Sequence, residues 1–291
     1  MEKRSKCMLA GATAIFGSIG LVRRLIPLDS ALIACVRGFV GAAFLLLFLL
    51  VRGGKLSRDA IRANGKLLIL SGAAIGLNWI LLFEAYNYTT VAVATLCYYM
   101  APVFVILLSP FILGEKLTRR KLICVLAALF GMVLVSGVFS EGVGGAESYK
   151  GVLFGLGAAV LYASIVMMNQ RIRDIPTYDK TIVQLLMAAV VALPYVLATQ
   201  DFAAMTLTAP TVVLLLVAGV VHTGFAYALY FGSMDALSAQ TVALYGYIDP
   251  AVAILLSAFV LKEALDVFGI IGAVLILGAT LASELGSGKE A

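Results

Sequence analysis

LCYYMAPVFVILLSPFILGEKL, residues 96–117, returns with changes as LYGYIDPAVAILLSAFVLKEAL at residues 244–265. Sliding one copy onto the other by 148 positions aligns 11 identical residues in 22. They include the pairs Tyr99/Tyr247, Pro102/Pro250, Ser109/Ser257 and Glu115/Glu263. Chance in so apolar a composition would give roughly two or three. Each copy reads aromatic, proline, long apolar run, glutamate. The chain is therefore a duplication, with halves at about 1–140 and 148–291.

Composition fixes the environment of both halves. Of the residues, 62% are hydrophobic and 13% charged, and mean hydropathy is +1.05. A soluble domain carries about 25% charged residues. So little charge cannot coat a water-facing surface, which makes this an integral membrane protein. The net charge of +5 does not point to nucleic acid, because the basic residues sit in short loops between apolar runs. Cys7, Cys35, Cys97 and Cys124 lie inside apolar runs without metal-ligand spacing. They read as small packing residues. An uncleaved first helix is expected rather than a signal peptide.

Ten apolar runs emerge, at about 7–22, 29–51, 66–86, 91–113, 121–139, 151–169, 181–198, 210–230, 239–261 and 267–284. Each approaches the roughly 20 residues a helix needs to cross hydrocarbon. With the N-terminus inside, the inner segments hold 16 lysines and arginines and the outer segments 4 (Arg23, Arg24, Lys150 and Lys262). That bias predicts cytoplasmic N- and C-termini. Five spans is an odd number, so the second half enters from the opposite side. The basic loop at 52–66 has its counterpart near 199–210, which holds no lysine or arginine. The expected fold is all-α: ten transmembrane helices as two inverted five-helix repeats, an architecture common in secondary transporters.

Phosphate loops, HExxH, GxSxG and clustered metal ligands do not appear in the sequence. No cofactor or metal is implied, and the chain reads as a non-enzyme. The informative residues are polar groups at membrane depth, where each is costly. Arg37 lies within the second span and Asp249 near the middle of the ninth, just before Pro250. His222 lies in the eighth span, with Asn78 and Glu84 in the third. A mid-membrane carboxylate either pairs with a cation or exchanges a proton. Asp249 is thus a candidate for a substrate cation or a coupling proton, and a structural pair with Arg37 is the alternative. Histidine can pass a proton near neutral pH, so Asp249, His222 and Glu84 form the proton-coupling candidates. Glu115 and Glu263, beside Lys116 and Lys262, suit a helix-end role.

Aromatics supply the rest. Trp79 matches Tyr227 and Tyr99 matches Tyr247 at the 148 offset. Tyr245 and Asp249 stack at i, i+4. The substrate-binding candidates are Asn78, Trp79, Tyr99, Tyr227, Tyr245, Asp249 and Arg37. Pro102 and Pro250 break backbone bonding inside their spans and are the expected hinges.

These residues carry a resemblance. The chain resembles the drug/metabolite transporter superfamily, specifically its ten-helix transporters with two EamA domains. The likeness rests on F-G-S at 16–18, C-V-R-G-F at 35–39, A-P-V with L-x-E-K-L over 101–117, and D-P-A-V with L-K-E-A-L over 249–265. Phe16 stands where the family usually has tryptophan. The resemblance implies a secondary carrier working by alternating access around a cavity between the third, fourth, eighth and ninth helices. The expectation is a multi-pass transporter of the bacterial inner membrane that moves a small polar metabolite. An amino acid or related zwitterion comes first, with export favoured and coupling to protons rather than sodium. An uncoupled facilitator of nucleosides or other metabolites, a lipid-intermediate flippase and a membrane enzyme are the rivals. The partners expected are the substrate, the lipid bilayer and protons. The protein would act as a monomer or homodimer.

Overall fold

The computed structural model describes residues 2–89, 91–135, 148–203, 205, 207–260 and 267–284. The repeat boundary at 140–147, Lys262, Glu263 and Lys289 lie outside the described residues. Helix is the only regular structure among those residues. That follows from the solvent: hydrocarbon supplies no hydrogen bonds, so each segment must bond its own backbone.

The helices are α1 (Glu2–Arg24), α2 (Ser30–Val51), α3 (Arg58–Ala63), α4 (Gly65–Tyr88), α5 (Val91–Tyr98), α6 (Ala101–Leu113) and α7 (Arg119–Val135). After these come α8 (Ser148–Arg171), α9 (Thr177–Thr199), α10 (Ala209–Gly219), α11 (Ala226–Ser233), α12 (Ala239–Tyr245), α13 (Ile248–Val260) and α14 (Val267–Glu284). A π-helical turn, Val220–Phe225, joins α10 to α11. Among the described residues, seven segments are long and apolar enough to cross a membrane: α1, α2, α4, α5 with α6, α8, α9, and α10 with α11. The α7, α12–α13 and α14 segments are shorter. Local chemistry sets several ends. The Asp29 carboxylate accepts from the amide of Ala31 at 2.7 Å and starts α2. Gly114, at φ 71°, ends α6 in the left-handed conformation that glycine adopts at little cost.

Elements recur along the chain. Ser30 begins α2 and Thr177 begins α9, 147 residues on; Ala101 begins α6 and Ile248 begins α13, also 147 on. Both copies of the opening stretch break at the same place. In the first, α5 ends at Tyr98 and α6 starts at Ala101; in the second, α12 ends at Tyr245 and α13 starts at Ile248. Pro102 and Pro250 sit at the start of the second piece, where a missing amide proton costs least. The prolines therefore mark interrupted helices, not bends within continuous ones. Across the molecule α2 packs on α9 and α7 on α14. The α1 helix packs on α13 and, in the corresponding pair, α8 packs on α6.

Hydrogen bonds define two ends. At one, Ser57 N donates to Asp179 Oδ2 at 2.8 Å and Asn64 Nδ2 to the Arg173 carbonyl at 2.9 Å. Gln170 Nε2 donates to the Leu237 carbonyl at 2.9 Å, and Arg171 Nη2 to the Ile112 carbonyl at 2.8 Å. The wholly buried Lys180 joins Asp235 at 3.0 Å. This end gathers residues near 52–64, 112–118, 170–180 and 235–240, and is called the basic end for its lysines and arginines. At the far end, Tyr195 Oη donates to Glu84 Oε1 at 2.5 Å, and Thr89 Oγ1 lies 2.5 Å from Ser148 Oγ.

Candidate functional site

A cavity of about 290 Å³ lies between the halves. Its wall draws on α1 (Thr13, Phe16, Ile19), α2 (Arg37), α4 (Asn78, Trp79, Leu82, Tyr86) and α5 with its following turn (Thr95, Tyr98, Tyr99). The remainder comes from α6 (Ala101, Pro102), α8 (Tyr162), α11 (Tyr227, Tyr230), Gly246 and α13 (Asp249). Tyr86 and Thr95 flank the α4–α5 junction, so the cavity reaches toward the far end. At the basic end the elements are tied to one another by the bonds described above.

A basic and an acidic side chain, Arg37 and Asp249, face this space. The Arg37 guanidinium stacks over Trp79, 5.0 Å from the ring centroid, a geometry that attracts a cation to the ring face. Its Nε is enclosed and has no hydrogen-bond partner. No carboxylate lies within the 4.0 Å of an ion pair among the described residues, Asp249 included. The structural pairing of Arg37 with Asp249 is therefore absent in this conformation. The Asp249 carboxyl instead takes a hydrogen bond from the Tyr99 hydroxyl, and its backbone packs on α1 so closely that a Cβ at Gly17 would lie 2.4 Å from the Asp249 carbonyl oxygen.

Aromatic rings form most of the wall. Phe16 meets Tyr227 edge-on at 5.1 Å and Tyr230 at 5.7 Å. Tyr98 meets Tyr162 at 5.9 Å, and the Tyr162 and Tyr230 hydroxyls bond to each other. Tyr99 and Tyr247, equivalent positions of the two copies, stack at 6.3 Å with 24° between planes. Tyr247 Oη also donates to the Tyr99 carbonyl at 3.2 Å.

The structure thus brings Arg37, Asn78, Trp79, Tyr99, Pro102, Tyr227 and Asp249 around one cavity. Asn78 is also a tie between helices, its Nδ2 donating to the Ala158 carbonyl at 2.6 Å. Tyr245 packs in the apolar core beside the cavity, not on its wall. Pro250 is buried one residue beyond Asp249. His222 is on the π-turn, with Nε2 3.0 Å from Ser18 Oγ and Nδ1 3.5 Å from the Val217 carbonyl. Glu84 binds Tyr195 at the far end. Neither His222 nor Glu84 lines the cavity. Sequence reasoning missed Tyr162 and Tyr230; the Tyr227–Tyr230 spacing of one helical turn was the available signal for the latter. Groups of three or more potential metal ligands are absent among the described residues.

Comparison with known proteins gives a consistent picture. A model of the EamA-like transporter family matches twice, over residues 4–137 and 149–283. An uncharacterized transporter of Bacillus subtilis, YxxF, is 27% identical over 263 residues, covering 90% of this chain and 83% of its own. An uncharacterized transporter of Archaeoglobus fulgidus is 27% identical, covering 95% and 97%. The pseudopaline exporter CntI of Pseudomonas aeruginosa is 29% identical over 57% of this chain and 56% of its own. One crystal structure superposes over the whole of both chains with a TM-score of 0.89 at 18% identity, a likeness of fold.

Proposed function

The chain belongs to the EamA-like transporter family, and from that premise we propose that it is a secondary carrier of a small zwitterion. An amino acid or a relative is the substrate, exported across the plasma membrane by alternating access. The observation that carries this reading is Arg37, a guanidinium without an anionic partner, facing the same cavity as Asp249. A guanidinium without a counter-ion in a low-dielectric site is costly. A ligand that brings a carboxylate to Arg37 relieves that cost, and its ammonium can meet the Asp249 carboxyl beside Tyr99. The aromatic wall then takes the apolar part of the substrate, and 290 Å³ suits a small metabolite.

In this reading the chain crosses the membrane ten times, seven long segments being joined by α7, α12–α13 and α14. Its halves are inverted repeats, and the basic end is cytoplasmic. The interruptions before Pro102 and Pro250 serve as hinges. Asp249 exchanges the coupling proton with the substrate. His222, which ties α1 to the π-turn, and Glu84, which ties α4 to α9, transmit that exchange to the moving helices. Export draws support from the relative named as an exporter.

Counterflow of labelled amino acids in proteoliposomes tests the reading. Arg37→Gln and Asp249→Asn should each raise the half-saturating concentration at least tenfold, since truncating one member of a buried charge contact costs about 2–5 kcal/mol. Asp249→Asn should also uncouple transport from the proton gradient. Absence of amino-acid exchange, or variants that keep wild-type affinity, sinks the zwitterion assignment. A second reading, uncoupled transport of nucleosides, is favoured by the ring-rich wall, on which a base could stack; exchange of nucleosides independent of Asp249 would select it.

A further inference from the structure

Outside the central cavity, a groove of about 190 Å³ opens between α4, α6 and α8 at the basic end. Its wall is mostly apolar, Leu67, Leu108, Ile112, Met167 and Met168, with Ser164 toward one end and Arg171 at the other. Leu108 and Ile112 are 42% and 36% exposed, so the groove faces the bilayer. From Ser164 to Arg171 it follows two turns of α8, roughly 10 Å. That is the upper part of one leaflet's hydrocarbon.

We infer that this groove holds an acyl chain of an anionic phospholipid, with the headgroup phosphate resting on Arg171. The Arg171 guanidinium is held in place by the bond from Nη2 to the Ile112 carbonyl at the end of α6. That bond uses one of five donors, and no carboxylate pairs with Arg171 among the described residues. A fixed, unneutralised guanidinium at the level of the headgroups is a site for a phosphate, which it can meet with two parallel N–H bonds. Basic pockets between membrane helices on the cytoplasmic side bind anionic headgroups in this way. The methionines suit a flexible chain because their unbranched thioethers adapt to irregular shapes. Charge selects the occupant: a zwitterionic lipid would fill the groove equally but would gain less from Arg171.

The test is native mass spectrometry of the full-length protein, purified from bilayers holding equal amounts of phosphatidylglycerol and phosphatidylcholine. The wild type should retain phosphatidylglycerol about fivefold over phosphatidylcholine, the value of one basic contact at a membrane surface. Arg171→Gln should bring the two to parity, and Arg171→Lys should keep most of the preference. Ser164→Phe, which fills the groove without changing charge, should lower retention of phosphatidylglycerol. Arg37→Gln, in the central cavity, should leave retention unchanged, which separates this site from substrate binding. Equal retention of the two lipids by the wild type overturns the proposal. So does a preference that survives Arg171→Gln, and so does retention unchanged by Ser164→Phe. Melting curves of each variant exclude loss of fold as the cause.

Discussion

A Cβ at Gly17 would lie 2.4 Å from the Asp249 carbonyl and 3.0 Å from the Val252 Cβ, whereas one at Gly20 would meet nothing within 4 Å. Both glycines are in α1, so Gly17→Ala and Gly20→Ala form a matched pair. Gly17→Ala must push α1 away from α13, at about 1–3 kcal/mol for overpacking. It should lower the melting temperature by several degrees and slow transport. Gly20→Ala should leave the melting temperature unchanged or raise it slightly, as alanine favours helix. Equal melting temperatures for the two variants would show that the α1–α13 contact is not this tight. At this scale, charge was the legible signal. Arg37 and Asp249 stood out because charges in apolar runs need a reason to be there, and both reached the cavity wall. Their neighbours Tyr162 and Tyr230 carried no such mark. His222 and Glu84 were as conspicuous as Asp249, yet face elsewhere. Helices apolar on all sides do not encode their own rotation; packing decides it.

Among the elements, α12 links the site to the basic end. It has only seven residues, too few to hold a helix in isolation. Its first amides are held by a side chain from the other half: Glu115 accepts from Ala239 N at 2.6 Å and from Gln240 N at 3.2 Å. Gln240 Nε2 in turn donates to Ser109 Oγ at 2.8 Å. A carboxylate at a helix N-terminus is also favoured by the helix dipole. Beyond the other end of α12 lie Gly246 and Asp249 of the cavity wall. Releasing the first end should therefore loosen the closure beneath the site. Charge-assisted bonds contribute about 1.5–3 kcal/mol each, so, with the basic end cytoplasmic as proposed, Glu115→Ala should raise cytoplasmic-side labelling of a cysteine at Gly246 about tenfold or more. Inverted vesicles of a protein otherwise lacking cysteine suit the measurement. Unchanged labelling would remove Glu115 from the closure. The sequence placed Glu115 at a helix end but could not say whose. The partner lies 124 residues away, and only the folded duplication brings them together. The prolines were legible as interruptions, while the break itself, at residues 99–100 and 246–247, depends on how the two copies stack through Tyr99 and Tyr247.

For the molecule as a whole, duplication and loop charge were the strongest signals, because both are written along the chain and need no packing. A repeated string with a 16-to-4 segregation of basic residues, counted with the N-terminus inside, predicts halves that face opposite ways. What one-dimensional pattern does not contain is the state of the carrier. In the proposed alternating-access reading, two conformations related by the pseudo-symmetry would use the same residues, and a few side-chain bonds would decide between them. Here the bonds at the basic end are Glu115 to α12, Lys180 to Asp235 and Gln170 to Leu237, and in the proposed reading they hold that end closed. The cavity extends instead toward the α4–α5 junction, where Thr95 is on its wall. If the basic end is cytoplasmic, this conformation is accessible from outside. A cysteine placed at Thr95 should then react with a membrane-impermeant thiol reagent in intact cells, and substrate should protect it. A cysteine at Ser238, beside the Glu115 contact, should react only in inverted vesicles. The two positions together fix orientation and state, since a reversed chain would exchange the two results. An inward-open resting state would instead leave Thr95 unreactive from outside while Ser238 kept its sidedness.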